Sequence, residues 1–403
     1  MRKSILFIML ILFAFTSCKE KDGTVFNKKV AVVDTGSVTF NGVSAMQTVK
    51  DMKTGWNLGN TMDAIGASGM GSETSWGMPR TTKAMIDTLA ASGIKTIRIP
   101  TSWSLHLIDQ NYTIDPTWMA RVKDIVDWAI ENDMYVILNS HHDCWEKPSA
   151  MPYGKGYYPN PENLEESLRF LTNVWAQICL AFNNGYDEHL IFETMNEPRL
   201  IGTKIEWSFA AGDSRHAEAQ DMINKLNQVT VDVVRASGGN NAKRLIMMPG
   251  YAATPAAVLS EAFVLPTDTV ENKLIVSVHM YTPFIFAGQS PGTKKFSVQF
   301  ERENASTFRK LNQKFVQNGT AVIIGEYGAV NKENSEERVK WFTSFIRDSQ
   351  AQGLPAVLWD NFQWKINPDK VDYSEKFGFY DRRNIKWVFP EINEAIMSNV
   401  VNK

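Results

Sequence analysis

Eight short apolar runs recur along the chain, at residues 55–58, 96–100, 135–139, 190–193, 245–248, 274–278, 321–324 and 356–359. Between them the spacing of apolar positions lengthens to that of amphipathic helices, as over residues 81–92, 116–132, 164–182, 222–236 and 336–352. In the second of these Trp118, Val122, Ile125, Val126 and Ala129 share one face. Continuous apolar strands alternating with such helices predict a parallel sheet covered on its outer side, and eight repeats predict closure. The fold class expected is α/β, a single (β/α)8 TIM barrel over residues 44–403. Gly93 and Gly353 stand where helices must stop before the next strand. The rival, an open doubly wound sheet, would need a glycine-rich phosphate turn after the first strand. The spacing Gly55-x-x-x-Gly59 does not supply one.

The polar residues add chemistry to this frame. Asn57, Asn60, Arg98, His141, His142, Asn196, Glu197, His279, Tyr281, Glu326 and Trp359 all fall at or just past the C-terminal ends of the predicted strands. In a (β/α)8 barrel the active site lies on that face. Taken singly, Arg98 reads equally well as a structural ion pair, His141-His142-Asp143 as a capped loop and Tyr281 as a packed ring. Two glutamates, in Asn196-Glu197-Pro198 and Gly325-Glu326-Tyr327, each end an apolar run. A carboxylate there is costly unless it is paired or faces a solvent-filled cleft, so the two together suggest one site. Paired carboxylates are the working groups of most glycoside-hydrolysing sites.

Composition narrows the options. The 403 residues carry a formal net charge of −2 and no basic stripe, which argues against nucleic acid as a partner. Of the 12 Trp most belong to packing, but indole faces also stack on sugar rings. Cys144 and Cys179 read either as a disulfide or as two isolated buried thiols. The chain has no C-x-x-C pattern, and the His141-His142 spacing matches no zinc signature, so no metal and no organic cofactor is expected. A monomer is expected.

The N-terminus predicts export. Met1-Arg2-Lys3, an apolar run over residues 5–15 and Thr16-Ser17 form a signal peptide over 1–17. The run is too short to span a membrane, which takes about 20 residues. Cys18 resembles the lipidated cysteine of a bacterial lipoprotein, although Phe15 stands where that pattern prefers Leu, so plain secretion is the alternative. Residues 18–43 read as a polar tether with at most one short strand around 30–33. The expectation is an exported protein held to the bacterial outer membrane through Cys18 alone.

Seven motifs taken in order resemble glycoside hydrolase family 5. They are Gly55-Trp56-Asn57-Leu58-Gly59-Asn60-Thr61-Met62-Asp63-Ala64, Glu73-Thr74-Ser75-Trp76-Gly77, Ile97-Arg98-Ile99-Pro100, Leu138-Asn139-Ser140-His141-His142-Asp143, Phe192-Glu193-Thr194-Met195-Asn196-Glu197-Pro198, Val278-His279-Met280-Tyr281 and Ile324-Gly325-Glu326-Tyr327-Gly328. The first two are similar to subfamily 4, the endoglucanases and xyloglucanases. The resemblance implies that Glu197 is the acid/base and Glu326 the nucleophile of a retaining enzyme, with carboxyl groups about 5 to 5.5 Å apart. It also implies that Arg98 and Tyr281 hold Glu326, Asn196 meets the sugar 2-hydroxyl, His141 and His279 line the cleaved-side subsite and Trp359 forms its floor. Asn57, Asp63 and His142 are expected to support or bind substrate. Phe362, where a Gly is common, and Cys144 depart from the pattern. Glu197 is expected to have a raised pKa and Glu326 to stay ionised beside Arg98.

The implied substrate is a β-1,4-glucan, xyloglucan slightly favoured over cellulose-type and mixed-linkage chains, cut internally in a groove that Trp56, Trp76, Trp145, Trp207 and Trp359 would line. A mannan-cleaving enzyme and a non-catalytic glycan-binding lipoprotein are the alternatives. Retention of both glutamates speaks against the second.

Overall fold

The structure, a computed structural model, describes residues 24–145 and 156–400. The signal peptide and Cys18 lie outside the described residues. Eight strands, β1 (Thr54–Leu58), β2 (Thr96–Ile99), β3 (Tyr135–Asn139), β4 (Leu190–Glu193), β5 (Ile246–Pro249), β6 (Leu274–Met280), β7 (Ala321–Tyr327) and β8 (Ala356–Asp360), pair in parallel in chain order. Pairing of β1 with β8, from Thr54 against Ala356 to Leu58 against Asp360, closes the barrel and excludes the open sheet. The strands differ from expectation mainly at their C-terminal ends, where β6 and β7 run on to include His279 and Glu326.

The helices are α1 (Ala45–Met52), α2 (Lys83–Ala91), α3 (Pro116–Glu131), α4 (Leu164–Ala181), α5 (Ser214–Ala236), α6 (Pro255–Leu259), α7 (Phe284–Ala287), α8 (Val298–Lys314), α9 (Ser335–Ala351) and α10 (Pro390–Met397). α5 begins well before the expected residue 222 because Asp213 accepts the Arg215 N–H and caps the first turn. Past β8, a two-stranded antiparallel ribbon pairs β9 (Tyr380–Asp381) with β10 (Lys386–Trp387). No helix among the described residues is long and apolar enough to cross a membrane.

Successive strand residues face opposite sides, so every second residue points into the barrel. The lower interior is a separate apolar cluster that includes Ile137, Ile191, Met247, Ile275, Ile323 and Val357. Ala45, Val49 and Met52 of α1 join it, so α1 plugs the N-terminal mouth. One step up the same inward faces the residues turn polar: Asn57, Arg98, Asn139, Glu193 and Ser277, all fully buried. The barrel is therefore sealed below and chemically active above.

One expectation needs correction. The stretch read as a tether is, over residues 24–43, bound to the barrel's outer layer. The Val25 N–H donates to Asn173 Oδ1 at 2.7 Å, the Asp34 N–H to the Leu180 carbonyl at 2.7 Å, and the Asn183 and Gly185 N–H groups to Asp34 Oδ2 at 2.9 and 2.6 Å. Asp34 thereby satisfies backbone donors just past the C-terminus of α4, and Phe26 is buried. No strand forms around 30–33. Cys144 and Cys179 are separate buried thiols, which removes the disulfide reading.

Candidate active site

Arg98, with no exposed side-chain surface, is the centre of the polar layer. Its Nε donates to Glu193 Oε2 at 2.7 Å and its Nη1 to Asn57 Oδ1 at 3.0 Å and Glu326 Oε1 at 2.7 Å. Its Nη2 donates to Asn196 Oδ1 at 2.7 Å. Glu193 also accepts from Asn139 Nδ2 at 3.0 Å and Ser277 Oγ at 2.7 Å, so its burial is fully compensated. Glu193, Asn139 and Ser277 were not anticipated as parts of the site. The signal that finds them is parity, since each stands on the inward face above the apolar cluster.

Parity alone would turn Glu326 outward, because Val322 and Ile324 lie in the outer core, yet Tyr327 lies there too, one residue out of phase. The β6–β7 register shifts at Val278/His279 and the β7–β8 register between Ile324 and Tyr327. This bulge turns Glu326 inward. Gly325 makes room for it, since a Cβ there would stand 3.1 Å from Met247 Cε and 3.2 Å from His279 Nε2 and Ser277 Oγ. Tyr281 donates its hydroxyl to Glu326 Oε2 at 2.7 Å.

Glu197 follows β4, and its Oε1 lies 2.8 Å from His279 Nδ1, which is 3.5 Å from Glu326 Oε2. One carboxylate oxygen of each glutamate and a ring nitrogen of His279 lie within 4.8 Å of one another. Arg199 Nη1 is 3.9 Å from Glu197 Oε2. Burial raises the Glu197 pKa, but the His279 hydrogen bond and charge outweigh it and bring the carboxyl below its ordinary value. Burial raises Glu326, and the nearby Glu197 adds to this against the lowering pull of His279 and Arg98, so it stands above its ordinary value. Burial would lower His279, yet Glu326 and Glu197 together raise it. The order expected for the two glutamates is thus reversed. The physical cause is the His279 imidazole, which lies against both carboxylates and draws Glu197 down, while burial and the neighbouring Glu197 hold Glu326 up.

His141 lies parallel to the Trp359 ring, with 5.8 Å between centroids, and accepts or shares a hydrogen bond with Asn139 Nδ2 at 3.1 Å. His142 sits edge-on to His141 and to Trp76. Burial depresses both imidazoles, His142 to about 4. Asn57 and Asp63 are fully buried. Asn57 donates to the Gly325, Val357 and Leu358 carbonyls, and Asp63 accepts the Asn60 and Thr61 N–H groups, so both shape the site from behind. Trp56 is likewise core, donating to Asp360 Oδ2 at 2.9 Å, and does not line the groove. Trp207 is 61% exposed in the loop after β4, with the Arg199 guanidinium 3.8 Å from its ring centroid.

Two clusters, Asp63/His141/His142 and Glu197/His279/Glu326, offer three metal-ligating atoms each. In the second, Arg98 and Tyr281 already occupy Glu326 and Arg199 adds positive charge, which disfavours a cation.

A closed (β/α)8 barrel with two glutamates facing each other at the C-terminal ends of β4 and β7 defines a glycoside hydrolase of the two-carboxylate class. The model of the cellulase family, glycosyl hydrolase family 5, matches residues 59–364, and the chain belongs to that family. Endoglucanase 1 of Ruminococcus albus is 43% identical over 90% of this chain and 82% of its own length. A family 5 lichenase of Caldicellulosiruptor sp. F32, solved as a mutant with cellotetraose, superposes with a TM-score of 0.82 at 39% identity, over 93% of this chain and 100% of that one. A GH5-4 broad specificity endoglucanase of Ruminococcus champanellensis with bound cellotriose gives a TM-score of 0.80 at 39% identity, over 89% and 100%. The chain therefore resembles subfamily 4.

Proposed function

We propose that the protein is a retaining endo-β-1,4-glucanase. The observation that carries this reading is the spacing of Glu197 and Glu326, whose facing oxygens lie within 4.8 Å. Inverting sites hold their carboxyl groups about 6.5 to 9.5 Å apart to admit a water, and retaining sites about 5 to 5.5 Å. Glu326, ionised and held by Arg98 and Tyr281, attacks the anomeric carbon. The bond to the leaving oxygen breaks as Glu197 donates a proton to that oxygen. His279 Nδ1, 2.8 Å from Glu197 Oε1, is placed to resupply that proton. Once Glu326 is esterified its charge is gone. Glu197 then takes a proton from water, whose oxygen displaces Glu326 from the sugar with net retention.

The solved relatives bind cellotetraose and cellotriose, which supports a glucan backbone as substrate. Trp359, His141 and the exposed Trp207 supply apolar faces to which equatorial glucose rings are suited. Xyloglucan is the favoured natural substrate. Reducing-end release from xyloglucan, carboxymethyl cellulose, mixed-linkage glucan and mannan tests the reading. The glucans should be cleaved internally with xyloglucan foremost, and mannan as best substrate would overturn the assignment.

Anchoring through lipidated Cys18 to the outer membrane is proposed on the sequence of residues 1–18. Stable attachment takes more than one acyl chain. Wild-type protein should partition with membranes and Cys18→Ala should not; a wholly soluble wild type with an unmodified N-terminus would overturn this.

A further inference from the structure

The connection from β6 to α8, residues 281–297, begins with Tyr281, whose hydroxyl donates to Glu326. It packs against the loop that follows β7, and where the two meet stands a fully buried lysine, Lys332. Its Nζ donates to the carbonyls of Ile285, Phe286 and Thr293 at 3.2, 2.5 and 3.3 Å, and lies 5.7 Å from the Phe286 ring centroid. Among the described residues no carboxylate pairs with it, and burial lowers its pKa to about 8. An ammonium has three N–H donors, and all three are used here. An apolar side chain of similar length would fill the space at less cost. What the charge supplies is a directional hold on three carbonyls of one loop.

The backbone around Lys332 is fixed from both sides. Its N–H donates to Asn334 Oδ1 at 3.1 Å, and Asn334 Nδ2 donates to the Lys294 carbonyl at 2.8 Å. The Val330 N–H donates to the Ala287 carbonyl at 2.9 Å. Gly292 closes the loop round the ammonium at a φ of 57°, where a Cβ would stand 2.2 Å from the Ile285 carbonyl oxygen and 3.1 Å from Lys332 Nζ.

The same turn also grips the loop after β8. The Asn331 N–H donates to the Lys376 carbonyl at 2.8 Å, and the next residue, Phe377, meets the Tyr281 ring edge-on with 5.2 Å between centroids. The Tyr373 N–H donates to Ser290 Oγ at 3.0 Å, which ties the loops after β6 and β8 directly. The backbone that carries Tyr281 and the ring that packs against it are thus both fastened to the segment holding Lys332.

We infer that Lys332 is a positioning residue for the reaction, an internal cation that holds the loop after β6 in the one arrangement that sets the Tyr281 hydroxyl on Glu326. The inference rests on the reading of Glu326 as nucleophile. Lys332→Met keeps the side-chain length and removes the charge. Kinetics on carboxymethyl cellulose are read across pH for wild type, Lys332→Met, Tyr281→Phe and the double variant. The Tyr281 hydroxyl favours the ionised form of Glu326, so losing its bond moves the acid limb of kcat/KM to higher pH. Lys332→Met should lower kcat about tenfold with KM within about twofold, and raise that limb. In the Tyr281→Phe background the same substitution should cost no more than about twofold, because the bond it acts through is already gone. Gly292→Ala disturbs the hold without removing a charge and should raise the acid limb as well, which keeps the test standing should Lys332→Met not fold. An unmoved acid limb, or losses that add in the double variant, would overturn the inference. A wild type inactive on every β-glucan would overturn the reading of Glu326, and this inference with it.

Discussion

Arg98 uses its whole guanidinium fork, with Glu193, Asn57, Glu326 and Asn196 each taking a bond. A lysine cannot reproduce that planar geometry, so Arg98→Lys should lower kcat by about 10²–10³-fold. Steady-state kinetics would check this, and a variant within twofold of wild type would contradict it. Glu197→Gln and Glu326→Gln should each abolish turnover while oligosaccharide affinity persists, because the amide keeps the shape of the acid and loses its chemistry. The pH profile follows from the site's three titrating groups. Activity needs Glu326 ionised and a proton held on the His279–Glu197 pair. Glu326 and His279 are both raised, so the acid limb of kcat/KM should lie above the ordinary Glu value and the alkaline limb above the ordinary His value. An alkaline limb below pH 6.5 would contradict the shared proton. Glu197, Glu326 and Arg98 were legible because each stands in a motif at or near a strand end. Glu193, Asn139 and Ser277 were passed over because a buried polar residue within an apolar run shows its role only when strand parity is followed into the barrel.

At the scale of elements, the bulge in β7 positions the site, while the plug of α1 seals the far mouth of the barrel. Gly325→Ala should reduce kcat, since its Cβ presses on His279 Nε2 and Ser277 Oγ, and thermal unfolding beside kinetics would separate this from simple destabilisation. Met52→Ala lies at the opposite end of the barrel. It should cost about 2–5 kcal/mol of stability by denaturant titration while kcat stays near wild type. The eight strands were readable because apolar runs punctuated by helices leave few alternatives. α8 was not, because only Asn304, Phe308 and Leu311 are buried on its charged length. The docked segment over 24–43 was missed for a related reason. Polar residues such as Asp34 that bond to a helix end read in sequence as residues bonded to water.

For the whole molecule, a barrel sealed at one end and open at the other confines the chemistry to a single face, where loops from all eight strands converge. That much was legible from the order of the motifs. The state of the glutamate pair was not, because it depends on His279 approaching both carboxylates, a distance that no spacing along the chain encodes. The account stands on Glu326 forming a covalent bond to the sugar. The most direct test is a time-resolved NMR spectrum of the first reducing ends released from a soluble β-1,4-glucan. The account predicts that the β-anomer appears first and the α-anomer only later by mutarotation. Initial release of the α-anomer would contradict it.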